Sequence, residues 1–577
     1  MLMMALTIFL GLAGRAHATK YYIAANGSDS NSGTSEASPW LHAPGMPNCT
    51  GTCASTTPAA GDNFIFRGGD AWHRSANIND SSDVAIGGEW NFTWSGSGLG
   101  STCDYYNGAV STCIYIGVST SWYNSAVCGS SFCRPKFEMD NPIWANSTHQ
   151  DASNPGFITA CTYDDNPSSA GLTGIKLANG IIFDNWEMWG LCWVTPITSG
   201  YGPMMLQYPN SSNSYDAIID GYIHGWTEAY DPQTNGGSSV MDQAPLFGGT
   251  SAGGIATHNV MAYNTFDGSD SCPEATVSST GGCTGGPVRY GDFYYTYSNV
   301  FRWMSLIAIN YNAYIVRDNL FEHIIESYDP ASHSQVFEMP AGPNDCPAYN
   351  EYYYNNITRE VAVGITWEIS TCGGYSTYIF NNVFWQIGNG ANCLIVDGTQ
   401  TPTPQLYISN NTFEGQSGSV GLCTIRFLPA AFTGNVTLQN NHFIGPYTGP
   451  PMNTSNFING SGGTVVDNGN EIVQTESVAN AQGYTSGNNY QPTSTSGATY
   501  HAGSNLSTSC ATYSPDLALC SGSTGAVMDI AGSGIVPVPL VAVPLLRGAA
   551  WDAGAYQYSE TSSGQPTPPM GLIASVQ

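Results

Sequence analysis

Positive charge is scarce in this sequence. Lys and Arg total 13 against 42 Asp and Glu, for a formal net charge of −29. Nucleic-acid binding needs a basic footprint, so no nucleic-acid partner is expected. A polyanionic glycan would be repelled unless a bound cation or a local Arg cluster intervened. Long apolar runs are missing too: no stretch reaches the roughly 18 residues of a membrane span. C-x-x-C pairs do not occur and the cysteines lack His at zinc-finger spacing, which argues against a structural zinc site. Charged residues make up only 10%, so helix-favouring Lys, Glu and Arg are few. What is abundant is Gly (67) and Tyr (34), which points to many short strands joined by tight turns.

The N-terminus reads as an export signal. Ala5 to Ala13 is a short apolar run, and Ala16-His17-Ala18 fits an A-x-A cleavage site. Residues 1–18 are therefore expected to be removed, and the protein to be secreted. Sixteen cysteines agree with an oxidising compartment. They fall into the couples 49/53, 103/113, 128/133, 161/192, 272/283, 346/372, 393/423 and 510/520, an even count that implies disulfides.

A repeat runs through the middle of the chain. Asn264-Thr265-Phe266, Asn299-Val300-Phe301, Asn319-Leu320-Phe321, Asn382-Val383-Phe384, Asn411-Thr412-Phe413 and Asn441-His442-Phe443 share one pattern. Phe183-Asp184-Asn185-Trp186 and Tyr354-Asn355-Asn356-Ile357 are looser copies. The last three clear copies are spaced by 29 and 30 residues, a solenoid period. Alternating stretches such as Tyr378 to Phe384 read as strands. In a coil of parallel strands, equivalent residues stack about 4.8 Å apart. Stacked Asn side chains then bond one another, which explains why Asn recurs where a strand disfavours it.

At its two ends and in the Asn-x-Phe ladder the chain resembles the pectate-lyase-like right-handed parallel β-helix proteins. Tyr21-Tyr22-Ile23-Ala24-Ala25-Asn26-Gly27-Ser28-Asp29, with Asn31-Ser32-Gly33-Thr34 and Pro39-Trp40, is similar to the entrance of many secreted members. Ala60-Gly61-Asp62-Asn63-Phe64-Ile65-Phe66-Arg67-Gly68-Gly69 resembles their first turn, and Asp552-Ala553-Gly554-Ala555-Tyr556 their ending. The resemblance implies an all-β, right-handed parallel β-helix solenoid acting on extracellular polysaccharide. The expected organisation is an entrance over 19–170, regular coils over 171–475, a closing segment over 476–558 and a flexible tail over 559–577. The lyases of this group use a Lys or Arg base, often with Ca²⁺. Its pectin hydrolases carry N-x-D, D-D and G-H-G motifs, of which Asp164-Asp165 and His224-Gly225 are only fragments. Neither set of catalytic residues transfers.

Counting 14 residues back from each ladder Asn gives Glu368 from Asn382, Asp397 from Asn411 and Phe427 from Asn441. Glu338 occupies the comparable segment one coil earlier. Glu338, Glu368 and Asp397 are thus predicted to form a file of carboxylates about 5 Å apart. Like charges so close need a cation or a proton. Three readings follow: catalytic acid and base for glycoside hydrolysis, a Ca²⁺ site, or solvated surface residues. Trp367, Trp385 and Arg426 lie nearby in sequence and are candidate sugar-binding groups. Competing functions are a glycoside hydrolase, a Ca²⁺-dependent lyase and a non-catalytic glycan-binding surface protein.

Overall fold

A computed structural model describes residues 18–74, 83–139, 150–151, 154–158, 173–193, 204–209, 211, 213–228, 245–248, 258–270, 288–289, 293–304, 309, 313–324, 335–339, 350–361, 363–368, 376–387, 392–397, 405–415, 423–427, 435–445, 458–459, 464–510, 518–520 and 547–558. The signal segment, the tail and Asp164-Asp165 lie outside these residues.

The fold is an all-β parallel β-helix. Each coil gives one strand to a first sheet, turns, gives one to a second sheet, and passes through a third side before returning. Both long sheets have 13 strands. The first runs from Lys20–Ile23 to Thr464–Asp467, and the second from Val84–Ala85 to Ile472–Thr475. Two five-stranded sheets form the third side. Pairing between successive coils is parallel in all three, as in Ile379↔Ile408↔Leu438.

The corner between the first two sheets is the site of the Asn repeat. Asn264, Asn299, Asn319, Asn356, Asn382, Asn411 and Asn441 are fully buried. The main-chain N–H of each of the first six donates to Oδ1 of the next over 2.9–3.0 Å. Their Nδ2 groups also donate to that oxygen, and to a strand carbonyl of the preceding coil, such as Ile379 O from Asn411 at 2.9 Å. The buried N–H donors of these first six ladder asparagines are thereby answered, as burial demands. The residue before each ladder Asn has a positive φ, for example Asn381 at 57°, Asn410 at 54° and Asn440 at 59°. Asn tolerates this left-handed conformation better than most residues. The doublets Asn381-Asn382, Asn410-Asn411 and Asn440-Asn441 therefore divide two tasks, bending the chain and bonding the coils.

Two residues past each ladder Asn the side chain turns into the core. Phe266, Phe301 and Phe321 stack at 5.1 and 4.9 Å, and Phe384, Phe413 and Phe443 at 5.1 and 5.2 Å. Each such burial contributes about 1.5–3 kcal/mol. The entrance motif is equally structural: Asp62 accepts from Thr19 N and Ala59 N, each at 2.8 Å, and Arg67 grips Asp70 with two bonds of 2.8 and 2.9 Å.

The closing segment docks along the side of the last coils. Arg547 is buried and donates to Asn381 Oδ1 at 3.0 Å, while Gly554 N donates to Asn440 O at 2.7 Å. Disulfides join the couples 49/53, 103/113, 128/133, 393/423 and 510/520. Cys192 is disulfide-bonded as well. Its expected partner Cys161 and the couples 272/283 and 346/372 lie outside the described residues.

Candidate active site on the second sheet

Where the predicted residues fall is decided by the strand register on the third side. Glu368 pairs with Asp397, so these two are neighbours on adjacent coils. Glu338 pairs with Thr366, two positions short of Glu368, so it is out of file by one pleat. Phe427 faces Val396 rather than Asp397, because the pairing slips between Asn392 and Leu394. Trp367 faces Val396 and Arg426 faces Ile395. Backbone alone is described for these residues; the side chains of Glu338, Trp367, Glu368, Asp397 and Arg426 lie outside the described set. Trp385 requires a correction. It is 7% exposed, its Nε1 donates to Asn489 Oδ1 at 3.2 Å, and Tyr490 packs edge-on against it. The closing segment covers the indole, so it offers no open ring face to a sugar.

A different constellation forms on the outer face of the second sheet. Strands Lys136–Glu138, Glu187–Trp189 and Tyr222–His224 lie side by side, with Lys136↔Glu187↔Tyr222 and Glu138↔Trp189 in register. Alternation turns Phe137, Met188 and Ile223 into the core and the flanking residues outward. Lys136 Nζ sits 3.5 Å from Glu138 Oε1 and 3.4 Å from Glu187 Oε1. His224 joins Asp270 Oδ2 through Nδ1 at 2.5 Å and Glu187 Oε1 through Nε2 at 3.1 Å. Both cations thus meet Glu187 on Oε1, and among the described residues Oε2 has no partner. Lys136 Nζ also lies 5.3 Å over the Trp189 ring, within cation–π range.

The two glutamates have opposite electrostatic surroundings. Burial pushes Glu138 up to about 7, with Lys136 only partly opposing it and Asp83 reinforcing it. Burial also acts to raise Glu187, but the His224 hydrogen bond and the Lys136 charge outweigh it and hold the carboxyl below its usual range. His224 is pushed up to about 9: its burial disfavours charge, and the bonds to Asp270 and Glu187 overcome that. Burial works against charge on Lys136 also, and the two glutamates override it, so its pKa is raised. Near neutral pH the site therefore holds a protonatable acid beside an ionised carboxylate. Each carboxyl reaches one ammonium within 3.5 Å, so their bonded oxygens are no further apart than twice that distance. Glycosidase carboxyl pairs lie about 5–9 Å apart.

Sequence counting missed Glu138, Glu187, Lys136 and Asp270. The clear repeats mark an outward column at the third residue after each ladder Asn, Asp267, Arg302, Glu322, Arg359 and Trp385, and only strand register continues it through His224 and Trp189 to Glu138. Its members pair along the axis, Asp267 with Arg302 at 2.6 Å and Glu322 with Arg359 at 2.7 Å.

Fold and site together define a parallel β-helix carrying a carboxylate pair on the outer face of one sheet. No family model matches the chain, and no curated protein matches it. Among solved structures it is similar to a rhamnogalacturonan lyase (11% identity, 74% of each chain, TM-score 0.29). It is also similar to a GH136 lacto-N-biosidase from Eubacterium ramulus (11% identity, 79% of this chain and 68% of that one, TM-score 0.36). For pectate lyase Pel9A the values are 13% identity, 95% and 98% coverage and a TM-score of 0.29. Likeness at this level assigns no activity; the chemistry has to come from the residues.

Proposed function

We propose that the protein is a secreted glycoside hydrolase acting on neutral polysaccharide, with Glu138 as proton donor and Glu187 as the ionised partner. One observation carries this reading: two carboxyls share one ammonium, with burial raising Glu138 to about 7 and the His224 bond and Lys136 charge holding Glu187 low, an arrangement suited to bond cleavage between sugars. In this scheme Glu138 protonates the leaving oxygen. Glu187 Oε2 faces the anomeric carbon or activates the attacking water. His224 and Lys136 keep Glu187 ionised, and Asp270 holds His224. A lyase base must accept a proton near neutral pH, and Lys136, held chiefly by the ionised Glu187, stays protonated. That disfavours Lys136 as an elimination base.

A second reading places the acid pair at Glu368 and Asp397, which the strand register brings side by side, with Glu338 one pleat away. Trp367 and Arg426 would then contact the sugar, and Ca²⁺ is the natural alternative occupant. Activity assays of Gln variants separate the two. Under the first reading Glu138→Gln and Glu187→Gln each lose about 100-fold or more in turnover, while Glu368→Gln and chelation of divalent metal leave it near wild type. The reverse pattern moves the chemistry to the third side.

A further inference from the structure

The second sheet ends in another tight corner, and its residue type changes along the helix. Gly190 and Gly225 take this corner with φ of 86° and 57°, a conformation glycine adopts without strain. Three later coils place Trp303, His323 and Glu360 at the aligned position, with φ of 57°, 53° and 53°. A bulky side chain in the left-handed region is uncommon and strained, and such residues concentrate at functional sites. Neighbouring coils hold these three in place. The Trp303 and His323 rings stack at 3.9 Å and 11°, and His323 Nε2 lies 3.1 Å from Glu360 Oε2. All three side chains are half-buried at the edge of the outer face.

The direction of the indole matters. His323 covers its face on one side. On the other, the aligned residue of the preceding coil is Gly268, which has no side chain to stack there. The same short turn, Gly268–Asp270, carries the Asp270 that holds His224. Among the described residues no aligned side chain covers the other face of Trp303, which looks along the helix axis towards the coils of Glu187 and Glu138. Between them the floor is the Asp267–Arg302 ion pair, which cancels its own charge. Further along, beyond Glu322–Arg359, Asn489 and Tyr490 close the face over Trp385.

We propose that Trp303, backed by His323 and Glu360, is a sugar-stacking subsite, and that the face it shares with Glu138 and Glu187 binds a neutral oligosaccharide. The inference rests on the glycan reading above and deepens it, naming an extended chain rather than a single terminal sugar as the occupant. Sugars present apolar faces to aromatic rings, and a self-neutralised floor favours a ligand without net charge.

Calorimetric titration of Glu138→Gln protein with neutral gluco-, xylo- and galacto-oligosaccharides, from disaccharide to hexasaccharide, tests this. Affinity should rise with length for at least one series. Adding Trp303→Gly should abolish the rise and weaken the longest ligand about tenfold, equivalent to about 1.4 kcal/mol, with disaccharide binding unchanged. Glycine suits the left-handed backbone, so a thermal melt should show a folded variant. His323→Ala, which removes only the support, should give a smaller loss of the same length-dependent kind. Length-dependent binding that survives Trp303→Gly, or no length dependence, overturns the subsite. Trp303-dependent binding in a wild-type protein that cleaves no glycan would retain the subsite and overturn the hydrolase reading instead.

Discussion

Glu138 and Glu187 illustrate how local surroundings set chemistry residue by residue. Both face the same ammonium, yet only Glu187 also accepts from His224. The rate should therefore follow a bell. It rises as Glu187 ionises, below the usual carboxylate range, and falls through about 7 as Glu138 loses its proton. A pH–rate profile of kcat/KM checks this, and a rate that climbs steadily through pH 8 would exclude Glu138 as the acid. His224→Asn removes one cation from Glu187, so the acidic limb should move upward while the alkaline limb stays. A structural role alone would not move a single limb. The sequence named His224 only as part of a motif fragment and gave no sign of Glu138, because the partners come from three coils separated by long connections. Their convergence depends on register, and register passes through segments whose lengths vary from coil to coil.

At the scale of the element, the Asn ladder was the most legible feature, since its hydrogen bonds repeat wherever its letters do. Asn411→Leu should destabilise the protein by several kcal/mol, because Asn382 and Asn441 lose buried partners and each unanswered group costs about 1–3 kcal/mol. Chemical denaturation measures this, and a loss no larger than that of an exposed Asn would exclude the coupling. The last coil replaces Asn with Glu471, which accepts from Asn441 N at 2.7 Å. Burial pushes its carboxyl up to about 8. A carboxyl raised on folding contributes stability while protonated, and this is lost as pH climbs from its unfolded value near 4.5 through about 8. Buried Glu351 and Glu414, each also raised to about 8 by burial, add the same sign. Melting temperature should thus decline from mildly acidic to mildly alkaline pH, and Glu471→Gln, which mimics the protonated acid, should flatten part of that slope. An unchanged slope would mean Glu471 does not titrate in this range. The carboxylate file was less legible than the ladder: the register slips between Asn392 and Leu394, and the offset at Glu338 differs by one pleat, so only Glu368 and Asp397 pair along the strand register.

For the whole molecule, the shape follows from repetition and the proposed substrate class from charge. With a net charge of −29, long-range repulsion should disfavour anionic glycans at low salt and relax as salt screens it. Neutral substrates should show little such dependence. The outer face of the second sheet fits this preference locally, since its Arg302 and Arg359 are spent on Asp267 and Glu322. Trp385 shows the limit of reading a ring from sequence: its own strand faces it outward, and a segment about 100 residues later covers it. The most direct measurement is the product chemistry of the wild-type protein on neutral polysaccharides, following new reducing ends together with ultraviolet absorbance. The expected result is reducing ends without an absorbing unsaturated sugar, reduced about 100-fold or more in Glu138→Gln. Unsaturated products, or full release of reducing ends by Glu138→Gln, would contradict hydrolysis by the Glu138–Glu187 pair.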